Sequence, residues 1–238
     1  MVFGSRGLCA QRNRGMARVL HDCDVVVFYD DDFLPCRRSL EGIEALFATY
    51  PDVVGATGEL LADGVKRGGI SHAEGEAIVD AYDAAAPDIV SILAELRIAY
   101  GCNMAFRCSA ARGLRFDERL PLYGWQEDVD FAGQIARRGR VVKTDAFVGV
   151  HLGVAKSRSP GVRLGFSQIV NPVYLVRKGT MRPTHAARIM SGNLIANHLR
   201  ALAPEPYIDR RGRLAGNWVG LLHLAAGRLD PERISTLP

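Results

Sequence analysis

Three consecutive aspartates, Asp30, Asp31 and Asp32, directly follow the apolar, β-branched run of residues 24–29. Such a run is typical of a strand buried on both faces in a parallel sheet, and ligands of open α/β sheets bind where the strands end. Adjacent carboxylates repel one another, so a cation that neutralises them stabilises the cluster, and carboxylate oxygen suits Mg²⁺ or Mn²⁺. The triplet therefore indicates a divalent-metal site. A helix N-cap or an exposed acidic turn is the alternative interpretation.

A second acidic group, Glu127 and Asp128 followed by Asp130, lies in the first turn of a helix predicted over residues 125–138. The positive end of the helix dipole keeps such carboxylates ionised, and an ionised carboxylate can act as a general base towards a hydroxyl. The alternative is that these residues only stabilise the helix start. His151 ends a short predicted strand and is a candidate third metal ligand, with a purely structural histidine as the alternative.

The elements that must position these groups alternate between strand and helix, which predicts a doubly wound α/β sheet. The predicted strands cover residues 24–29, 53–60, 100–107, 141–143 and 147–151. Helical patterns cover residues 37–50, 77–98 on either side of Pro87, 125–138, 163–178, 185–202 and 214–227. We therefore expect an α/β core over residues 1–155 and a basic, mainly helical region over residues 156–238.

Charge is distributed unevenly along the chain, whose net charge is +4. Up to Ala136 there are 13 Lys and Arg against 21 Asp and Glu, and after it there are 17 against 5. The acidic part suits cation binding and the basic part suits phosphate or an anionic surface; a solvated basic face is the alternative. We expect no nucleic-acid partner.

The five cysteines form no C-x-x-C pair, which argues against a disulfide framework or a thiolate zinc site and for a reducing compartment. The sequence shows no apolar run long enough for a spanning helix and no signal-peptide pattern, so we expect a cytoplasmic protein. Residues 218–226 form an apolar stretch with arginines around it. This stretch is a candidate for peripheral contact with an anionic membrane surface, and packing against the α/β core is the alternative.

Five segments between residues 7 and 178 resemble, in order, the motifs of family 2 glycosyltransferases. Residues 7–15 look like the family's G-x-x-x-x-R-N-x-G segment, residues 26–32 like its D-x-D metal motif and residues 101–107 like its G-x-N-x-A-F-R strand. Residues 116–118 resemble its F-D-E and residues 123–131 its E-D-x-D-F helix start, while His151 stands where many members have a histidine. The resemblance implies a GT-A fold and an inverting, metal-dependent transfer of a sugar. The donor would be a nucleotide sugar, and the acceptor a hydroxyl of a glycan or of a lipid-linked molecule.

The resemblance also implies roles for individual residues. Asp30, Asp32 and His151 would hold Mn²⁺ or Mg²⁺ against the diphosphate of the donor. Asp128 would deprotonate the acceptor hydroxyl, and Glu127 would orient the base or bind the acceptor. The positions expected to contact the donor or its surroundings are Arg12, Asp31, Asn103, Trp125, Lys156, Arg158 and Arg163. For the last three of these, simple exposure to solvent is the alternative.

Family members open with a strand, a helix and a strand that hold the nucleotide base. This chain begins just before the segment that contains Arg12, so we expect that part of the fold to be missing and nucleotide binding to be impaired. Two other functions fit the same residues. One is a metal-dependent nucleotidyltransferase, and the other is a catalytically impaired remnant that acts as a binding module.

Overall fold

The computed structural model of the chain describes residue 4 and residues 6–85, 91–153 and 160–238, without the side chain of Lys66. The protein has a mixed α/β fold. Contacts between Cα atoms divide the described chain into two compact units. The sheet unit contains residues 16–114 and the described part of 132–157, and the helical unit contains residues up to 15, residues 115–131 and the described residues from 160 onward. The predicted domain boundary near residue 155 falls among residues 154–159, outside the described residues, and stays a prediction.

Strands and helices alternate in the first two thirds of the chain and give way to helices after it. The described strands are β1 (Val25–Tyr29), β2 (Phe33–Pro35), β3 (Val53–Asp63), β4 (Ile92–Leu96), β5 (Asn103–Arg107) and β6 (Arg140–His151). The described α-helices are α1 (Leu8–Val19), α2 (Ser39–Thr49), α3 (His72–Ala85), α4 (Cys108–Ala111), α5 (Glu127–Ile135), α6 (Gly161–Lys178), α7 (Pro183–Arg200) and α8 (Arg210–Ala225). Two short 3₁₀ turns cover Gly64–Lys66 and Pro231–Thr236.

The strands form one mixed sheet in the order β1-β5-β3-β6-β2, with β4 also paired to β6. Among the described pairs only β3 and β6 run parallel. The prediction that residues 24–29 belong to a parallel sheet is therefore wrong, because β1 pairs antiparallel with β5. An apolar run reports burial and not strand direction, and here the Phe28 ring packs edge-on against Phe106 of that antiparallel neighbour.

The core of the sheet unit lies between α2 and the sheet. Ile43, Leu46 and Phe47 of α2 pack against buried side chains of β3, β5 and β6. Each such side chain contributes about 1.5–3 kcal/mol when it is fully buried. Arg107 of β5 donates from Nη2 to the carbonyl of Phe47 at 2.8 Å, which satisfies a carbonyl that the end of α2 leaves without a helical partner.

Several elements differ from the sequence prediction. The helix predicted over residues 77–98 begins earlier, at His72, and ends at Ala85. Residues 92–96 form β4 instead, because their backbone groups pair with β6. The two short strands predicted over residues 141–143 and 147–151 are one continuous strand, and the short elements β2 and α4 were not predicted.

In the helical unit, the three helices predicted after residue 160 are confirmed as α6, α7 and α8. Helices α6 and α8 approach closely through glycines. A Cβ added to Gly165 would lie 2.0 Å from the carbonyl oxygen of Arg213, and one added to Gly216 would lie 2.0 Å from that of Val162. The two backbones therefore approach at a distance that only glycine permits at these positions. Phe166 and Val170 of α6 pack against Ile234 and Leu237 at the C-terminus.

Large apolar side chains are exposed on α7, on the turn that follows it and on α8. Ile195, Leu199 and Leu202 are spaced by four and three residues, and Trp218 and Leu222 by four. Helical side chains with these spacings share a face. The rings of His198 and Trp218, with centroids 5.8 Å apart, connect α7 and α8 beside these faces. None of the described helices combines the length and the apolar character that crossing a bilayer requires.

Candidate metal centre

The three aspartates form the connection between β1 and β2, and backbone hydrogen bonds hold it at both ends. The N–H of Asp30 donates to the carbonyl of Cys102 at 3.3 Å, and the carbonyl of Asp32 accepts from the N–H of Leu152 at 2.9 Å. The N–H of Phe33 donates back to the carbonyl of Asp30 at 3.1 Å and closes the turn. The backbone of the acidic turn is therefore fixed by β5, by β6 and by itself.

Strand register places His151 beside two aspartates. Phe33, the residue after Asp32, is opposite His151 in the antiparallel β2–β6 pair. Asp63 is opposite His151 in the parallel β3–β6 pair. The last residue of β6 is thus flanked by acidic residues from both neighbouring strands.

Asp30, Asp32 and His151 each offer one ligand atom, and these atoms all lie within 4.8 Å of one another. The Nε2 atom of His151 is 3.3 Å from Oδ1 of Asp32. His151 is buried and the two aspartates are half-buried, whereas Asp31 is exposed and lies outside this group. The structure therefore brings together the three predicted metal ligands. Two carboxylates and an imidazole form a donor set that fits a divalent cation, and the imidazole favours Mn²⁺ over Mg²⁺.

Asp63 supports the histidine from the side away from Asp32. Its Oδ1 lies 3.1 Å from Nδ1 of His151, and its Oδ2 accepts from the hydroxyl of Tyr100 at 3.3 Å. The ring of Tyr100 meets the imidazole edge-on, with centroids 5.9 Å apart. When Nδ1 carries the proton and donates to Asp63, the lone pair of Nε2 points to the group and is available to a cation.

The acidic surroundings also control the protonation of His151. Burial by itself lowers the pKa of this imidazole, but the hydrogen bond to Asp63 and the negative charges of Asp32, Asp63 and Asp30 outweigh burial and raise the pKa above its ordinary value. Negative potential at this position is the physical condition that attracts a cation.

In the helical unit, three of the segments that carry the sequence resemblance contact one another. Nη1 of Arg12 lies 2.5 Å from Oε1 of Glu127, and both side chains are buried. The amide of Asn13 donates to the carbonyl of Phe116 at 2.9 Å and to the carboxylate of Glu118 at 2.8 Å, while its oxygen accepts from the N–H of Phe116. The R-N pair thus binds the F-D-E segment and the first residue of the E-D-x-D helix start.

Two aspartates of these segments, Asp117 and Asp130, are paired with Lys178. Lys178 donates to Asp117 at 2.6 Å and to Asp130 at 2.7 Å, and Asp130 also accepts from the hydroxyl of Thr180 at 2.6 Å. Burial raises the pKa of Asp117, but the hydrogen bonds from Lys178 and Tyr174 outweigh it and lower the pKa overall. Asp117 and Asp130 are therefore both held by ion pairs with Lys178.

Asp128 is half-buried, and its Oδ1 accepts from the N–H of Val129 at 2.8 Å. The loop before α5 has an unusual backbone, because Leu122 and Gln126 adopt positive φ angles of 59° and 74°, as Gly124 does at 62°. Left-handed conformations of residues other than glycine are strained and cluster at functional sites. The strain at Gln126 lies two residues before the predicted base.

The remaining predicted donor contacts have different surroundings. Asn103 is fully buried, and its amide donates to the carbonyl of Phe147 at 3.2 Å. Trp125 is half-buried, and its carbonyl accepts from Asn171 at 2.8 Å. Arg163 donates from Nε to the carbonyl of Leu237 at 2.9 Å. Lys156 and Arg158 lie outside the described residues. The donor-binding roles of all these residues, and of Arg12 and Asp31, stay predictions.

Sequence reasoning missed Asp63 and Tyr100. A signal for Asp63 was present, because it directly follows an apolar strand pattern and precedes Gly64, the same placement that drew attention to Asp30 after β1. The role of Tyr100 depends on the folded path of the chain, which places its hydroxyl near Asp63 from a position 37 residues away.

The sequence matches no model of a known protein family. No curated protein matches it in sequence either.

Proposed function

We propose that the chain is an inverting, metal-dependent glycosyltransferase of the GT-A type, similar to family 2. It would move a sugar from a nucleotide-sugar donor to a hydroxyl of a glycan or lipid-linked acceptor. The observation that carries the proposal is the grouping of Asp30, Asp32 and His151 at the ends of β1 and β6. Further support comes from the helical unit, where Arg12 binds the E-D-x-D-F helix start and Asn13 binds the F-D-E segment.

In this proposal Asp30, Asp32 and His151 hold Mn²⁺ or Mg²⁺ in the sheet unit, and Asp63 orients the imidazole. The bound cation supplies charge neutralisation for the diphosphate group as it departs. Asp31, exposed beside this group, contacts the ribose or the metal's water shell. These assignments follow from the oxygen and nitrogen donors that the three side chains offer.

Asp128 acts as the general base. Its carboxylate accepts the proton of the acceptor hydroxyl, and the hydroxyl oxygen attacks the anomeric carbon from the side opposite the departing diphosphate, which inverts the configuration. The buried Arg12–Glu127 pair holds the first residue of α5, and this residue precedes the base. Glu127 therefore contributes by fixing the helix start that carries Asp128.

The exposed apolar faces of α7 and α8 favour contact with an acceptor, or with a surface, that has apolar character. Leu199 and Leu222 are 73% and 68% exposed, and Trp218 is 52% exposed. Apolar side chains on helices with a basic composition suit the boundary of an anionic membrane, where lipid-linked acceptors lie. We therefore include peripheral membrane contact through the C-terminal helices in the proposal.

The test is a product analysis with Mn²⁺, glycan and lipid-linked acceptors, and a panel of uridine, guanosine and thymidine diphosphosugars, in which a new glycosidic bond is sought. Release of a nucleoside diphosphate by the wild-type chain, lost in Asp32→Asn and retained in Asp80→Asn on the exposed face of α3, supports the proposal. A second reaction contains nucleoside triphosphates and sugar 1-phosphates. Pyrophosphate release in that reaction identifies a nucleotidyltransferase instead. Mn²⁺ binding without either product contradicts an enzymatic role and identifies a binding module.

A further inference from the structure

Two cysteines of the sheet unit lie in direct contact. Sγ of Cys23 is 2.7 Å from Sγ of Cys108, although the residues are 85 positions apart in the chain. A disulfide bond has a length of about 2.05 Å, so the two sulfurs need to move by less than an ångström to be bonded. Both cysteines are free thiols in the structure.

Backbone pairing brings the two segments that carry these cysteines together. Cys23 lies just before β1, and Cys108 directly follows β5. The N–H of Cys108 donates to the carbonyl of Asp24 at 2.8 Å, which continues the β1–β5 ladder beyond its last residue pair, Val25 and Arg107. The ladder thus places Cys108 opposite Asp24, the residue after Cys23, and the two cysteine side chains make the contact.

The pair is located at the end of β1 that is remote from the acidic turn. At the other end of the same ladder, Tyr29 pairs with Asn103 and the chain continues into Asp30. A covalent bond between Cys23 and Cys108 would anchor the beginning of the strand whose end leads into the candidate metal centre.

We propose that Cys23 and Cys108 are a redox modification site, at which a low-molecular-weight disulfide such as oxidised glutathione converts the two thiols into an intramolecular disulfide. This inference does not depend on the proposed transferase activity. It assigns a role to two residues that the metal centre and the helix start do not use.

The burial of the two thiols sets the order of the reaction. Cys23 is half-buried, whereas Cys108 is fully buried, and this burial raises the pKa of Cys108 to about 12. The reagent therefore meets Cys23 first. The ionised Cys23 sulfur attacks the glutathione disulfide, forms a mixed disulfide and releases one glutathione thiolate.

The second step completes the exchange. Cys108 loses its proton and attacks Sγ of Cys23, which forms the internal bond and releases the second glutathione thiolate. Two electrons pass from the cysteine pair to the reagent, which leaves as two thiols. Because Cys108 must lose its proton within the protein, we expect this step to be slower than the first and to accelerate with rising pH.

A bond between these positions closes a long loop in the unfolded chain. Loops of this length lose conformational freedom on cross-linking, and the folded state is thereby favoured. We expect Tm to rise by roughly 5–10 °C on oxidation and to return on reduction.

The test is incubation of the full chain with oxidised glutathione, followed by thiol titration, intact mass measurement and peptide mapping. We expect free thiols to fall from five to three, the mass to fall by two hydrogens, and one peptide pair to contain Cys23 and Cys108. In Cys23→Ser no internal bond forms, whereas Cys36→Ala still loses two thiols and serves as the matched control.

Three results would overturn the inference. They are the retention of all five thiols, a glutathione adduct on Cys23 that never resolves, and a bridge that joins other cysteines. Peptide mapping of the wild-type chain distinguishes these outcomes, so the test does not depend on the folding of any cysteine variant.

Discussion

His151 and Asp63 lie opposite each other across the parallel β3–β6 pair, with Nδ1 of the imidazole 3.1 Å from Oδ1 of the carboxylate. The same imidazole directs Nε2 towards Oδ1 of Asp32, at 3.3 Å. One ring therefore joins a supporting carboxylate on one side to the candidate ligands on the other. Carboxylate partners of this kind fix the tautomer and the orientation of a metal-binding histidine.

The first prediction concerns Asp63→Asn. The amide keeps the shape of the side chain but removes the charge that orients His151, so we expect Mn²⁺ affinity to fall about 10-fold or more. Isothermal titration with Mn²⁺ measures this change. Asp80→Asn, an exposed position on α3, is the matched control and should bind as the wild type does. Equal affinities of Asp63→Asn and wild type would show that Asp63 does not support the site.

Asp128→Asn tests the assignment of the general base. Loss of general-base catalysis should lower the rate of sugar transfer by about 10²–10⁴-fold. Mn²⁺ affinity should not change, because Asp128 is not among the candidate metal ligands. The measurement is the initial rate with the donor found in the product analysis, alongside a metal titration. A variant that transfers sugar at the wild-type rate would remove Asp128 from the mechanism.

The buried ion pair of the helical unit predicts a large effect on stability. Arg12→Ala leaves the buried carboxylate of Glu127 without its 2.5 Å partner, and breaking a buried pair costs about 3–5 kcal/mol in the free energy of unfolding. Urea denaturation followed by circular dichroism measures the loss. Arg18→Ala, at an exposed position of α1, should change stability by less than about 0.5 kcal/mol. Comparable losses in both variants would contradict a structural role for the pair.

Two glycines of the helical unit should respond to alanine in opposite directions. In Gly216→Ala the new methyl group meets the carbonyl of Val162, so we expect a destabilisation of about 1–3 kcal/mol. A Cβ at Gly192, within α7, meets no atom within 4 Å. Gly192→Ala should therefore stabilise the protein by about 0.4–1 kcal/mol. Thermal unfolding of the two variants measures whether each substitution lowers or raises the stability. Stabilisation by Gly216→Ala would show that α6 and α8 do not approach as described.

The exposed apolar residues of α8 predict the behaviour of the chain on lipid vesicles. We expect the wild type to float with vesicles that contain anionic lipid, and the double variant Trp218→Ala, Leu222→Ala to float markedly less, because it loses apolar area at the membrane boundary. Leu40→Ala removes an equally exposed leucine from α2, and it should float as the wild type does. A wild type that stays in solution at low salt would contradict the membrane contact.

The sequence identified the three residues of the candidate metal group because their signals are local. Asp30 and Asp32 follow a strand whose apolar run is visible in any window, and His151 ends another such run. That the three side chains come within 4.8 Å depends on the strand order, because β2 pairs with β6 and so carries Asp32 beside His151. The sequence therefore indicated which residues to group, and the sheet pairing determines that they meet.

The features that escaped prediction depend on partners distant in the chain. Residues 92–96 have a helix-compatible composition, and only pairing with β6 makes them a strand. Strand β1 runs antiparallel to β5, with Val25 opposite Arg107 at one end and Tyr29 opposite Asn103 at the other. No pattern within either strand encodes this direction. The contact of Arg12 with Glu127 joins residues 115 positions apart, and reasoning from short sequence windows does not find it.

The position of His151 between two hydrogen-bonded strands has a consequence for the speed of metal exchange. Its backbone is held on one side by β2 and on the other by β3, and its ring is held by Asp63. The imidazole is thus preorganised when the chain folds. Because its pKa is raised, the ring must lose a proton before Nε2 can coordinate, and we expect ion uptake to become faster as the pH rises.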